Sequence, residues 1–384
     1  MISSFEVVVL GGGVVGLSAA LAMSQRGYKV ALLDAGPLVA HQSSSRVYAI
    51  NHASQRLFSE LGVWASLDAR HVSPYRHMHV WDASTTAHID FDARLVGRDR
   101  LGTILLESVL KQALFEQLEV AGVTLYSDTR IGTVQNTSDR MILRDDKTEW
   151  HADLMILAEG AASTTRARLN VPLTTWSYHQ DALVATMQTE KAHEGTAYQV
   201  FQQGESLAFL PLAHPHHVSI VWSASPSQVE DLLAYSETVF SEKVAKTMSY
   251  VLGNCQVLGT RHAFPLHMRQ AQRYSGARWI LMGDAAHTIH PMAGLGLNLG
   301  LADLSTWLKL LQNDKASLVS SRLLEAYHRE RRAKAWQTIV LMEGIKMIFS
   351  NPSSPVRWLR GVGLRACDRL SLLKRLFIGQ ADFS

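Results

Sequence analysis

At 384 residues, with 47% hydrophobic and 18% charged residues and a formal net charge of +3, the chain has the balance of a folded globular protein, long enough for a large core split over about two domains. Its two cysteines, Cys255 and Cys367, form no C-x-x-C, which excludes a disulfide framework or zinc ribbon and suits a reducing cytoplasm. The seventeen histidines are scattered, without metal-ligand spacing, so no metal is expected, and no run of about 18 apolar residues offers a membrane span.

The first element is the apolar run Phe5 to Leu10, typical of a buried parallel strand. Gly11-Gly12-Gly13-Val14-Val15-Gly16 follows and fits G-x-G-x-x-G, leading into a helix from Leu17 to Gln25 and a second strand, Lys29 to Leu33, that ends at Asp34. Gly11 allows the tight turn, Gly13 lets a pyrophosphate approach the backbone, and Gly16 lets helix and strand pack closely. Asp34 stands where a carboxylate accepts ribose hydroxyls. Strand, helix, second strand and terminal acid in register predict a dinucleotide site.

Arg46 sits in a polar loop, and residues 106 to 120 read as an amphipathic helix with Glu107 and Gln112 on its polar side, more scaffold than site. Ala152 to Ala158 is another buried strand, closed by the acid-glycine turn Glu159-Gly160, then Ser163 and Arg166. Between about Thr174 and Phe264 the pattern becomes short β runs with alternating faces, an antiparallel sheet on which Phe209, Leu210, Pro211 and Trp222 are candidates for a pocket wall or, at least as readily, ordinary sheet core. Trp279 to Met282 is a short strand opening the stretch GDAAHTIHPMAGLGLNLGLAD, 283 to 303, and a helix from Leu297 to Leu311 ends it. A helix N-terminus behind glycines offers free N–H groups and positive potential to an anion or an electron-rich ring.

The tail differs from the rest. Residues 322 to 384 hold twelve Lys/Arg and five Asp/Glu, a net of +7 against +3 for the whole chain, which leaves −4 for the first 321 residues. Basic residues alternate with Leu, Val, Trp and Phe at helical spacing over 356 to 378, a pattern that suits an anionic membrane surface, a packed helix or a subunit contact equally.

GGGVVG, AEGAAS-x-x-R and GDAAHTIHPMAGLGLNLGLAD recur in this order in the single-component FAD-dependent aromatic hydroxylases. The chain most resembles their ubiquinone-biosynthesis branch (the VisC/UbiH/UbiF group), also through RVYAINHASQRLFSELGVW, FLPL, SIVWSASP and FPL. LTTWSYHQDALVATMQTE, 173 to 190, is similar to the 2-polyprenylphenol hydroxylases, which act at ring carbon 5. The resemblance implies an α/β fold: a Rossmann-like FAD-binding domain (1–173 and 265–330), an antiparallel β-sheet substrate domain (174–264, with about 75–95 as a candidate addition) and a basic helical C-terminal segment (331–384).

It also implies roles. Gly11, Gly13, Gly16 and Asp34 would hold the ADP half of FAD, and Arg46 would lie near the flavin. Glu159 and Gly160 would meet the pyrophosphate region and bear on NADPH or NADH use, and Asp284 would bind the ribitol chain. Pro291, Gly294, Leu295, Gly296, Leu297 and Asn298 would flank the isoalloxazine, with the following helix supporting the reduced ring. His287 is the loop-support residue with a secondary claim as proton carrier; His290 shares that claim. Reduced FAD and O2 would form a flavin C4a-hydroperoxide that oxygenates a polyprenylated phenol. A sister enzyme for another ring position and a non-catalytic FAD-binding subunit stay open. A biosynthetic protein assembly and the inner face of the cytoplasmic membrane are the implied partners, with no nucleic acid. Two positions depart from the family's pattern: Glu159 replaces its usual Asp, and Leu295 replaces a glutamine.

Overall fold

The computed structural model describes residues 2–39, 46–85, 87–290, 294–312, 315–351, 353, 361–364, 368, 370, 374–375 and 378–379. Pro291 and most of the basic segment 356–378 lie outside the described residues.

The opening apolar run forms the strand Ile2–Leu10, central in a mostly parallel sheet. Its residues Val7–Leu10 pair with Leu154–Leu157 on one side and Val30–Leu33 on the other. A strand covered on both faces has no polar side to show, hence the unbroken apolar run. Trp279–Leu281 extends the sheet beyond Glu149–Leu157, and Thr124–Tyr126 extends it beyond Val30–Leu33. From Leu10 the chain goes first to one side and later returns on the other, so the topological switch point lies at Gly11 and Ala158. The helix Val14–Gln25 is buried almost all round, because the sheet and the helices Glu107–Val120 and Leu295–Leu310 enclose it.

The second large sheet is antiparallel except for one pairing. Leu173–Thr189 and Cys255–Ala271, 17 residues each, run side by side along their length. His217–Ala224, Glu205–Pro211 and Thr196–Gln202 follow as a meander. His77–Asp82 joins Thr196–Phe201 in parallel and His88–Asp92 closes the edge, so the segment 77–92 belongs to this sheet. The two long strands pass through positions 174 and 264 without a break, and Arg269 and Gln270 pair with Thr288 and His287. The sheet is therefore hydrogen-bonded directly to the GDAAHT turn.

Two of the residues weighed as pocket wall or sheet core are core. Phe209 and Trp222 are almost fully buried and pack with Leu232, Phe240 and Val244 of the helices Pro226–Ala234 and Glu237–Thr247. Strand alternation puts Leu210 on the opposite face. That face also carries Ala182, Val184, Ala208 and Val221, of which Ala182 and Val221 touch the main core while Val184, Ala208 and Leu210 stay half-buried.

A small sheet of Val47–Ile50, Gly102–Leu106 and Ser73–Tyr75 fills the space beside the helix Leu295–Leu310. The helix Ser321–Ser350 then spans both large sheets. Near its start Tyr327 donates to the Leu281 carbonyl at 2.7 Å, and near its end Phe349 stacks on Phe201 with centroids 4.0 Å apart.

Candidate active site

The N-terminal turn is held by close contacts that only glycine allows. A Cβ on Gly16 would lie 1.9 Å from the Gly11 carbonyl oxygen, and one on Gly11, at φ +109°, would lie 2.3 Å from the Ala158 oxygen. Gly13 has nothing within 4 Å of its Cβ position, so its one open side faces away from the protein. No side chain caps the helix Val14–Gln25 and no acid occupies its first turn, which leaves those N–H groups for an anion. Asp34 braces the turn: Oδ2 accepts from the Gly12 N–H at 2.5 Å and Oδ1 from the Gly36 N–H at 2.7 Å. Its remaining lone pairs are those a ribose hydroxyl can use.

Across the switch point stands the acid-glycine turn. Glu159 is committed to the helix Thr164–Arg168: Oε2 accepts from the Ser163 hydroxyl at 2.6 Å and the Thr165 N–H at 3.1 Å, and Oε1 from the Thr165 hydroxyl at 2.9 Å. The extra methylene relative to Asp supplies this reach. Gly160 has φ +78° and open space at its Cβ. Arg166, 6% exposed, donates to the carbonyls of Ala285 and Ala161 at 2.8 and 3.1 Å, tying this turn to the GD turn.

The GD turn rests on a buried polar core. Gly283 N–H donates to Asp303 Oδ2 at 2.9 Å, His287 Nε2 meets the same oxygen at 2.7 Å, and Arg331 Nε donates to Oδ1 at 2.6 Å. The His287 and Asp303 side chains are fully buried and Arg331 is 3% exposed. Burial alone would raise the Asp303 carboxyl, yet His287 and Arg331 hold it below its ordinary value. Arg331 also donates to the Leu299 carbonyl at 3.1 Å. His287 thus faces this core and is sealed from solvent, the geometry of loop support. Gly300 lets the helix approach: a Cβ there would stand 2.9 Å from both Gly283 Cα and a Val15 methyl. Val15, in the first turn of Val14–Gln25, thereby packs closely on the second turn of Leu295–Leu310.

Asp284 is half-buried and has no hydrogen-bond partner among the described residues. Arg46 lies over the Tyr48 ring at 5.1 Å, and Tyr48 donates to Glu107 Oε1 at 2.9 Å. Arg46 is exposed; partial desolvation by its neighbours opposes its charge, but Tyr48, Glu107 and Asp284 outweigh this and raise its pKa. Glu107, read as scaffold, therefore anchors the tyrosine under the arginine.

Of the loop expected to flank the flavin, Pro291 lies outside the described residues. Gly294 takes φ +61° at the N-terminus of Leu295–Leu310, which again has no side-chain cap and no acid in its first turn. Gly296 has nothing within 4 Å of its Cβ position. Leu295 is 7% exposed and belongs to the main core, and Leu297 packs partly against it. Asn298 is 2% exposed, accepting from Asn51 N–H at 3.1 Å and donating to the Ala49 and Gly294 carbonyls at 2.7 and 3.2 Å. The side chains of Leu295 and Asn298 are thus spent on packing and on tying the loop to Val47–Ile50, leaving only their backbone for a ligand.

Two uncapped helix N-termini, a glycine cradle and a carboxylate at the end of the second strand fit a dinucleotide with a second electron-rich ring. The family model described as "FAD binding domain" (FAD_binding_3) matches residues 4–341. The chain belongs to this family. It is an FAD-dependent monooxygenase of the flavoprotein aromatic hydroxylase type, a class that uses NADPH or NADH and O2. Its relatives include the 3-demethoxyubiquinol 3-hydroxylase of Escherichia coli, 33% identical over 96% of each chain. The ubiquinone hydroxylase UbiL of Rhodospirillum rubrum is 29% identical over 98% of this chain and 89% of its own length. Among solved structures, the p-nitrophenol 4-monooxygenase of Pseudomonas putida shares the fold with a TM-score of 0.81 at 17% identity, covering 99% of each chain.

Tyr48, Asn51, Asp303 and Arg331 do not stand out in the sequence. Asp303 merely ends the glycine-rich stretch, and Arg331 is one charge among many in a basic segment.

Proposed function

We propose that this monooxygenase hydroxylates the aromatic ring of a polyprenylated phenol in ubiquinone biosynthesis, with ring carbon 5 as the position. The likeness of residues 173–190 to the 2-polyprenylphenol hydroxylases supports the position. The relative named as a 3-hydroxylase of demethoxyubiquinol supports a second reading, hydroxylation at that later step. The observation that supports the substrate class is the apolar strip Val184, Ala208, Leu210 and Val221, half-buried and flanked on the same face by Thr186, Ser206, Ser219 and Ser223.

FAD, once reduced, supplies the activation of O2, and the protein supplies place and shelter. The N–H groups at Val14–Gln25 hold the pyrophosphate, Asp34 the ribose and Asp284 the ribitol. The N-terminus of Leu295–Leu310 stabilises negative charge on the reduced ring. Arg46 holds its charge at the rim, with Tyr48 and Glu107 fixing its place. Neither buried histidine moves a proton in this scheme: His287 is bonded into the Asp303 core, and burial drives the His290 pKa down to about 3. The apolar strip on the sheet helps to exclude water and align the ring. Among the described residues no helix is long and apolar enough to cross a membrane. The basic tail, at +7 over residues 322–384, is the proposed contact with an anionic bilayer surface, where a prenylated substrate resides, or with a biosynthetic assembly.

The test is expression in strains each lacking one ring hydroxylase, followed by mass spectrometry of the quinone intermediates. Restored quinone only in the strain blocked at carbon 5 supports the first reading, and restoration only in the demethoxyubiquinol-accumulating strain supports the second. Restoration in neither strain, with purified protein that oxidises NAD(P)H without oxygenating any prenylphenol, overturns both.

A further inference from the structure

His290 immediately precedes the flavin-flanking loop and is 2% exposed. Its surroundings come from an irregularity in the long strand Leu173–Thr189, whose register with Cys255–Ala271 shifts between Ser177 and Asp181. Within that bulge His179 takes φ +52°, a left-handed conformation that a non-glycine residue seldom adopts. A bulge re-aims side chains, and this one delivers two neighbours to one target. Tyr178 meets the His290 ring edge-on with centroids 4.8 Å apart, and Gln180 Oε1 lies 3.3 Å from His290 Nε2.

The orientation of Gln180 is set by its other end. Its amide nitrogen donates to the Gly204 carbonyl at 2.9 Å, so the oxygen is what faces the imidazole. An amide oxygen only accepts, and therefore Nε2 carries the proton. Nδ1 is then a bare acceptor, buried and without a partner among the described residues. Among the described residues, three titratable groups face this ring. Tyr178 is kept neutral by burial and by Glu343. Lys346 donates to the Tyr178 carbonyl at 3.2 Å and lies 4.2 Å over the Tyr178 ring. Glu343 stands one helical turn before Lys346. Burial first, then the Lys346 charge, disfavours a proton on His290. His290, Gln180 and Lys346 also border a cavity of about 10 Å³, room for about one water and no ligand.

We propose that Gln180 and Tyr178 are positioning residues that lock His290 as a neutral, Nε2-protonated imidazole at the edge of the flavin loop, so that the loop presents neither a titrating acid nor a positive charge to the oxygen chemistry. The proposal rests on the flavin reading of the site, though on no particular substrate. On the flavin reading, a locked neutral imidazole there would add neither a titrating proton nor a charge to the site. The carbonyl of Gln180 is the element that selects the tautomer, and the αL turn at His179 is what places it.

The test uses the full-length FAD-loaded protein. Nitrogen-15 NMR of histidine-labelled wild type is expected to show His290, assigned by its absence in His290→Asn, as the Nε2–H tautomer with no protonation from pH ~8 down to ~5. Gln180→Glu places a carboxylate against Nε2 and is expected to lift the imidazole to a midpoint of about 5. That midpoint should appear as a pH-dependent change in the visible spectrum of bound FAD, absent in wild type and abolished in the Gln180→Glu, His290→Asn double variant. Protonation of wild-type His290 near its ordinary value overturns the proposal. So does a Gln180→Glu protein that loads FAD and titrates at His290 with an unchanged flavin spectrum. Neither readout requires turnover, so failure to hydroxylate a prenylphenol leaves this result standing and bears on the functional reading alone.

Discussion

Replacing Arg331 with methionine isolates the interaction that fastens the C-terminal helix to the GD turn at Gly283. The Asp303 carboxylate has no solvent access, and among the described residues Arg331 is its only cationic partner that is charged at every working pH. Removing one member of a buried pair strands the other, a loss of about 3–5 kcal/mol. Methionine fills a similar volume, so little of that loss is cavity. The control is Arg273→Met: Arg273 pairs with Glu325 across an interface where both side chains are about half exposed, and an exposed pair is worth roughly 0–1 kcal/mol. Denaturant unfolding of the FAD-loaded protein, followed by flavin release and far-ultraviolet circular dichroism, reads both. A loss in Arg331→Met below about 1 kcal/mol, or equal to that of Arg273→Met, would refute the claim that Asp303 is the buried anchor of the turn. Flavin release preceding loss of secondary structure in Arg331→Met is the expected signature, since the turn and not the sheet loses its support.

Three further outcomes follow from the site geometry. Gly16→Ala forces a Cβ into the Gly11 carbonyl at 1.9 Å and is expected to destabilise the apoprotein; Gly13→Ala, with free space in the protein, should leave apoprotein melting unchanged and weaken FAD binding, measured by fluorescence quenching. Leu295→Gln, although it restores the residue usual in this branch, buries an amide in the main core and should cost about 1–3 kcal/mol without improving the ratio of hydroxylated product to NAD(P)H consumed. Glu159→Asp draws the carboxylate back from Ser163 and Thr165 and should cost about 1 kcal/mol, the worth of a helix cap, visible as a lower melting temperature of apoprotein and holoprotein alike.

The dinucleotide fold was legible because its determinants are local. The turn at Gly11 to Gly16, the strand that feeds it and the acid at position 34 are defined by steric rules within about thirty residues, and each sits where its spacing predicts. The helix starting at Leu295 rather than Leu297 shows the usual limit: its first turn bonds through Gly294 in the left-handed conformation, which apolar spacing does not reveal. The fate of individual side chains was not legible. Alternation states that Phe209 and Leu210 oppose each other but not which of them meets the helices Pro226–Ala234 and Glu237–Thr247. Asn298 looked like a ligand contact and is used up on Ala49, Asn51 and Gly294.

Sequence by itself determined a glycine turn suited to a dinucleotide, since backbone geometry at glycine is intrinsic to the residue, and the family resemblance added the flavin. Only the tertiary structure decided how that site is supported: Arg331 enters the Asp303 core from a helix some thirty residues away in sequence, and Gln180 reaches His290 from a strand 110 residues away. Burial and charge compensation are properties of the assembled interior, where a carboxylate or an imidazole takes its protonation state from neighbours that no local pattern specifies.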